Sequence, residues 1–360
     1  MKKLLHPVVV TFLVVVAILV LPLLFPGKEI RVPGDGMLRK QALTHNLLPV
    51  PRTREGMRAV SDNPENSLTP GKVALGKKLF FDPRLSRDGT LTCASCHILE
   101  AGGDDNRPVA IGYHGRANPR HLNAPTVLNA GLEASQFWDG RAKDVEEQAG
   151  GPVQAPFEMN MTPDEVMERL KKDPETVREF EAVFGEGNLT FANVRNAIGA
   201  YERTLLTYSP FDAFLDGNDT ALSPRAKRGL TLFMQRGCKG CHTGMSVGGQ
   251  LIKRFPLRHY FFDYLGIDPG TLRVKRDEIP FDNIGGFRGR NGSYFFKVPV
   301  LRNVARTGPY FHNGAVKDLH EAVRIMSKYQ LGDEFSKQEI DDVVAFLKSL
   351  NGEIVDYGYE

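Results

Sequence analysis

The sequence predicts a mainly α-helical protein of two similar domains, preceded by one N-terminal transmembrane helix. Three observations predict it. A long uncharged run lies near the N-terminus, capped amphipathic helices recur through the rest, and one cysteine–histidine motif occurs twice and consumes every cysteine.

The apolar run comes first. "MKK" is followed by Pro7 to Phe25, nineteen residues without a charge. As a helix this run would be about 28 Å long, close to the hydrocarbon thickness of a bilayer. A signal peptide usually has a shorter apolar region and a small-residue cleavage site, whereas "PGKEIRVPGDG" offers no such site. Lys2 and Lys3 on the short side place the N-terminus in the cytoplasm and the rest beyond the membrane. Residues 1–27 are therefore expected to anchor the chain, or to act as a leader if they are cleaved.

Residues 28–66, with "VPGDG", "LLPVPRTR" and "SDNPENSLTP", are rich in Pro, Gly and Asn and read as a linker. The remaining length suits two domains, expected at 67–220 and 221–360. Charged residues at 25%, hydrophobic ones at 41% and a net charge of +3 are ordinary for a globular chain, and exclude nucleic acid as a partner.

Helix signals are clear at two places. In "MTPDEVMERLKK" Thr162 is an N-cap, Pro163 takes the first helical position and Glu165 follows three after the cap. Ser336 caps "KQEIDDVVAFLKSL", where Ile340, Val343, Val344, Leu347 and Leu350 form an apolar stripe that Asn351-Gly352 ends. Alternating strand patterns are lacking, apart from a short hairpin expected around "NGSYFFKVPV".

Four cysteines in an exported chain suggest disulfides, and two C-x-x-C pairs suggest zinc. Neither explains why a histidine follows each pair: Cys93, Cys96, His97 and Cys238, Cys241, His242. C-x-x-C-H is the attachment pattern of c-type haem. Thiols at i and i+3 share one face of a helical turn, where each can form a thioether with a haem vinyl group. The next residue then aims its imidazole at the iron. "LGKKLFFDPRLSRDGTLTCASCH" and "KRGLTLFMQRGCKGCH" form an internal repeat of helix, turn and haem site. Two covalently bound haem c groups are expected.

The sixth ligands decide what each iron can do. Only Met245 and Met326 of the nine methionines follow His242. Met245, three residues on, is too close to reach the opposite haem face, which leaves Met326 in "HEAVRIMSKYQLG". For the first haem, His114 in "AIGYHGRANP" and His121 in "NPRHLNAP" both sit in a Gly/Pro/Asn-rich loop able to move.

From about Leu75 to Gly352 the chain resembles the bacterial di-haem cytochrome c peroxidases, whose family also includes MauG-type di-haem oxidases. The matching phrases include "GGDDNRPVAIG", "NAPTVLNA", "QFWDGRAKDVEEQAGGPVQAPFEM", "FKVPVLRNVARTGPYFHNGAV" and "AVRIMSKYQLG". The resemblance implies a peroxidatic N-terminal haem held by Cys93, Cys96 and His97, and a high-potential C-terminal haem held by Cys238, Cys241, His242 and Met326. Two electrons reduce hydrogen peroxide to water, and two haems store both.

The family's distal histidine stands in "IGHG". Here the phrase is "IGYHG", so His114 comes one residue later and Tyr113 takes the expected place. His114 is the expected distal ligand, because a mobile loop absorbs one extra residue, with Tyr113 and His121 as alternatives. Gln148 and Glu158 match the residues above the peroxidatic iron, where Glu158 would carry a proton from the near to the far peroxide oxygen. Trp138 matches the residue between the haems. The family's calcium ion would take Asn123 and carbonyls near Lys297 and Pro299.

MauG-type oxidases carry tyrosine where this chain has Met326, so the peroxidase branch is expected. A MauG-like oxidase and a non-catalytic membrane-tethered electron carrier are the other readings. The resemblance further implies a small c-type cytochrome or cupredoxin as donor, a homodimer, and a place on the periplasmic side of the bacterial inner membrane.

Overall fold

Why the sequence repeats G-x-x-x-F in "GKKLF" and "GLTLF" is visible in how its helices cross. In the computed structural model, which describes residues 30–257 and 279–359, the helices in chain order are α1 (Asp35–Thr44), α2 (Arg54–Ser61), α3 (Pro70–Phe80), α4 (Val145–Gln154), α5 (Pro163–Lys171), α6 (Pro174–Phe184), α7 (Phe191–Glu202), α8 (Pro210–Leu215), α9 (Pro224–Gln235), α10 (Leu319–Ile325) and α11 (Lys337–Lys348).

In the first half α3 crosses α7. A Cβ on Gly76 would lie 1.9 Å from the Ala197 carbonyl oxygen and 2.9 Å from Tyr201 Cβ. Only glycine lets the backbones approach this closely. One turn on, Phe80 meets the edge of Tyr201 with centroids 5.4 Å apart. The second half repeats the arrangement with α9 and α11: a Cβ on Gly229 would lie 1.9 Å from Asp342 O and 2.9 Å from Phe346 Cβ. Phe233 packs on Phe346 at 5.1 Å. The chain is thus mainly helical, with two cytochrome c-like halves.

The expected caps are present. Thr162 Oγ1 accepts from Glu165 N at 3.3 Å, and Glu165 Oε2 accepts from Thr162 N at 2.8 Å. Ser336 and Glu339 form the same reciprocal pair at the start of α11. The stripe Ile340, Val343, Val344, Leu347 and Leu350 is buried against α9. Thirteen-atom helical bonds end at Ile325, and a π-turn over Met326–Leu331 follows.

Two features differ from expectation. The expected local turn at 291–294 is closed by an antiparallel bridge between Arg290 and Phe295, but the strand Phe295–Lys297 pairs further with distant Ile252–Arg254, antiparallel, in the register Ile252↔Lys297 and Arg254↔Phe295. These are β3 and β2; β1 (Thr207–Tyr208) pairs with β4 (Glu353–Ile354). The segment expected as a linker at 28–66 instead folds from Asp35 on, because its scattered apolar residues find tertiary partners. Leu38 and Ala42 of α1 are fully buried, Arg39 Nε donates to Phe214 O at 2.7 Å, and Met57 of α2 joins the core of the first half.

From Gly34 on the chain is one unit, and a buried ion pair holds its parts together. Arg302 and Asp212, both fully buried, make two contacts of 2.7 Å. Arg302 also donates to Met245 O at 2.6 Å and Leu48 O at 3.3 Å, and Asp212 Oδ1 accepts from Val50 N at 2.8 Å. The expected transmembrane run at 7–25 lies outside the described residues. Among the described residues no helix is long and apolar enough to cross a membrane.

Candidate active site

Both cysteine motifs fold into the same turn. A single 3₁₀ turn starts at Cys93 and at Cys238. In the first, Cys96 N and His97 N donate to Cys93 O at 3.1 and 3.0 Å; in the second, Cys241 N and His242 N donate to Cys238 O at 3.2 and 3.0 Å. Each turn therefore presents two thiols and an imidazole in one fixed arrangement. The thiols are free. Burial pushes Cys96 and Cys238 up to about 12, so as free thiols they stay neutral. The described residues also bring together no group of three acidic, cysteine or histidine side chains able to hold a metal ion.

The histidines are neutral as well. His97 Nδ1 lies 3.1 Å from Gly103 O, and burial lowers its proton affinity. Burial pushes His242 down to about 4, with the Val247 and Pro299 carbonyls opposing. A neutral imidazole oriented through one nitrogen leaves the other free for a metal.

The second turn opens into an apolar cavity lined by Cys238, Cys241, His242, Met326, Trp138 and His312 among others. Met326 is placed there by the π-turn that breaks α10, a distortion common at functional sites. The donor set and apolar walls fit a covalently attached haem.

Around the first turn the walls are different. Glu158 stands on the tight turn after α4, where its N donates to Ala155 O at 2.9 Å. Burial raises its carboxyl above the ordinary value, while Arg141 and Asn118 oppose the shift. Asn118 Nδ2 is 3.5 Å from Glu158 Oε1, and Glu158 acts electrostatically on Cys96. Gln148 lies half-buried on α4 itself.

Tyr113 and His114 share one turn that hangs from Glu158: Tyr113 N donates to Glu158 O at 2.7 Å. Gly112 makes this possible, since a Cβ there would lie 2.1 Å from Phe157 O. His114 is exposed, in the left-handed region at φ 55, and stacked on Tyr113 at 4.0 Å. His121 sits apart, against Gly285, with its Nδ1 buried and unpartnered.

Trp138 links the two regions. Its Nε1 donates to Asn123 O at 2.9 Å, its carbonyl accepts from Lys297 N at 2.8 Å, and its ring lines the cavity of the second turn. Asn123 Nδ2 donates to Arg107 O at 2.7 Å, which leaves its amide oxygen available. Lys297 is buried in an ion pair with Glu133. The Pro299 carbonyl faces Gly248 and His242.

Sequence reasoning missed Asn118, Arg141 and His312. His312 is 3% exposed, 5.0 Å from Phe296 ring to ring and edge-on to Trp138 at 6.3 Å. Its signal was available in "PYFHNG", a histidine among aromatics, but no spacing tied it to a haem motif.

Residues 70–220 match the family model described as di-haem cytochrome c peroxidase, and residues 226–351 the one described as cytochrome c. A cytochrome c551 peroxidase of Pseudomonas aeruginosa is 45% identical over 286 residues, 77% of this chain and 78% of that one. A methylamine utilization protein MauG of Methylorubrum extorquens is 37% identical over 304 residues, 80% of each. A solved structure of a MauG-like protein associated with microbial copper homeostasis is similar with a TM-score of 0.66 at 26% identity, covering 83% of this chain and 95% of that chain. The chain belongs to the di-haem cytochrome c peroxidase family.

Proposed function

We propose that this enzyme reduces hydrogen peroxide to water at a haem on Cys93 and Cys96, using electrons that arrive at a haem on Cys238 and Cys241 and pass by Trp138. One observation carries the division of labour: two identical C-x-x-C-H turns face different walls, one with the Met326 thioether and the other with the Glu158 carboxyl. Bound there, haem supplies an iron that exchanges electrons and, where a coordination position is open, takes peroxide.

The chain's own residues do the rest. His97 and His242 would hold the two irons, and Met326, on the wall of the cavity of the second turn, would close that site to substrate. Glu158, half-buried and above the ordinary carboxylate range, takes the proton of one peroxide oxygen and returns it to the other. The Arg141 charge pulls the carboxyl back toward its ionised form, and Asn118 Nδ2 stands beside it at 3.5 Å. Gln148 closes the same side. His114, on an exposed turn beside Glu158, would be the distal ligand that gives way to substrate; His121 lies off this turn, against Gly285.

Met326 in place of tyrosine argues against the MauG-like oxidase, and a plain electron carrier has no use for Glu158. A calcium ion would rest on Asn123 and on backbone carbonyls near Lys297 and Pro299. The donor is a small c-type cytochrome or cupredoxin, the site periplasmic, and residues 7–25 anchor the chain in the inner membrane. The assembly is a homodimer.

Glu158→Gln tests the reading. Peroxide turnover should fall by about 10²–10⁴-fold, with both haem spectra unchanged. Turnover near the parent rate would remove Glu158 from the chemistry.

A further inference from the structure

A second cavity, polar where the first is apolar, is lined by Asp62, Glu133, Gln136, Glu146 and Arg203 among others. Three atoms beside it are buried without a partner: Asn66 Oδ1, Glu146 Oε2 and Arg203 Nε. Their residues are 3%, 6% and 3% exposed. Arg203 already pairs with Glu146 at 2.9 Å and Asp62 at 3.2 Å, and Asn66 Nδ2 donates to Glu146 Oε1 at 2.9 Å. A balanced ion pair does not call for a cation. Unsatisfied donors and acceptors converging on one polar cavity call for water.

Glu146, on the wall of this cavity, reaches α7. Glu146 lies flat along α7, where a Cβ on Gly199 would come within 2.6 Å of its Cγ. Glu202 stands one turn further on the same face of α7 and is 5% exposed. Glu202 is in turn the charge that acts most strongly on Cys93. The order is therefore cavity, Glu146, Glu202, first haem turn.

We propose that Glu202 takes up a proton through this cavity whenever an electron reaches the first haem, and gives it back when the electron leaves. The inference rests on the reading that Cys93 and Cys96 carry a haem. The electron comes from the second haem and the proton from solvent. The Glu202 carboxylate becomes a carboxylic acid, no bond to the cofactor forms or breaks, and the net charge of the site is conserved.

The surroundings support this. Burial first and the Glu146 charge second push the Glu202 carboxyl up to about 8. The positive charge of an oxidised haem lowers that value and reduction removes the charge. Near neutral pH the group is then ionised opposite oxidised iron and protonated opposite reduced iron. The charge that acts on it is Glu146 from α4; Glu146 pairs with Arg203, which also pairs with Asp62, and Lys72 of α3 feels all three. Cys93, once a thioether, carries no charge.

The test is the midpoint potential of the first haem in the full haem-loaded chain, followed by spectroelectrochemistry across pH. The parent potential should fall as pH rises through a window ending near 8, approaching about 59 mV per tenfold change in proton activity for one electron. Glu202→Gln should flatten that slope. Glu146→Gln, which removes the charge that raises Glu202, should move the window to lower pH, and serves alone if the first variant does not fold. An unchanged slope in Glu202→Gln, or an unmoved window in Glu146→Gln, with haem bands intact, defeats the inference alone. Missing haem bands at the first site defeat the proposed function, and the inference with it.

Discussion

In the proposed function Glu158 carries a proton, and burial sets the pH range over which it can. An ordinary carboxyl would be almost wholly ionised at neutral pH. Here desolvation raises it, and the Arg141 charge pulls back. The ionised form is the one that accepts a proton from peroxide, so activity is lost as pH falls through the folded value. Because that value is raised, the acid limb of kcat/KM lies above the ordinary carboxylate range. Arg141→Gln removes the opposing charge and should move this limb to still higher pH, read from a pH profile of kcat/KM. At this scale the sequence was informative wherever spacing carried chemistry. Cys93 and His97 were readable because bond geometry restricts which spacings work, and Met326 because elimination left it alone among the methionines after His242. Asn118 and Arg141 were not, since each reaches Glu158 from a loop whose path depends on long-range packing.

Helices repeat the lesson with backbones. The caps at Thr162 and Ser336, and the stripe from Ile340 to Leu350, follow from local hydrogen bonding and a 3.6 period, and both were readable. The partner of Phe295–Lys297 was not, because β2 lies far away in the chain. Nor was α1 readable: its two buried residues, Leu38 and Ala42, make too narrow a stripe to mark a helix until α8 and α9 are in place beside it. The two glycine crossings give an element-level prediction. Alanine usually stabilises a helix by about 1 kcal/mol over glycine. At Gly76 or Gly229 the added methyl meets backbone at 1.9 Å, so Gly76→Ala and Gly229→Ala should each destabilise by about 1–3 kcal/mol or more. Thermal unfolding measures the sign, and a gain in stability at either position would mean that the crossings are looser than described.

Across the whole molecule, the pair Arg302–Asp212 gathers the N-terminal strap, the segment joining the halves and the loop after the second haem turn onto one buried charge. Leaving Asp212 alone should cost about 3–5 kcal/mol. Arg302→Ala therefore lowers the midpoint of denaturant unfolding sharply, whereas removal of an exposed ion pair such as Lys172–Glu168 changes it by no more than about 1 kcal/mol. Such rigidity suits two haem groups held at a fixed separation. The sulfur of Met326 on one wall and the carboxyl of Glu158 on the other make the two sites unequal, and that inequality is the centre of the account. Stopped-flow mixing of peroxide with half-reduced protein addresses it most directly. The account predicts that the reduced bands of the C-terminal haem vanish on mixing, because its electron is drawn through Trp138 to the peroxide-bearing site. Persistence of those bands in the presence of excess peroxide would contradict it.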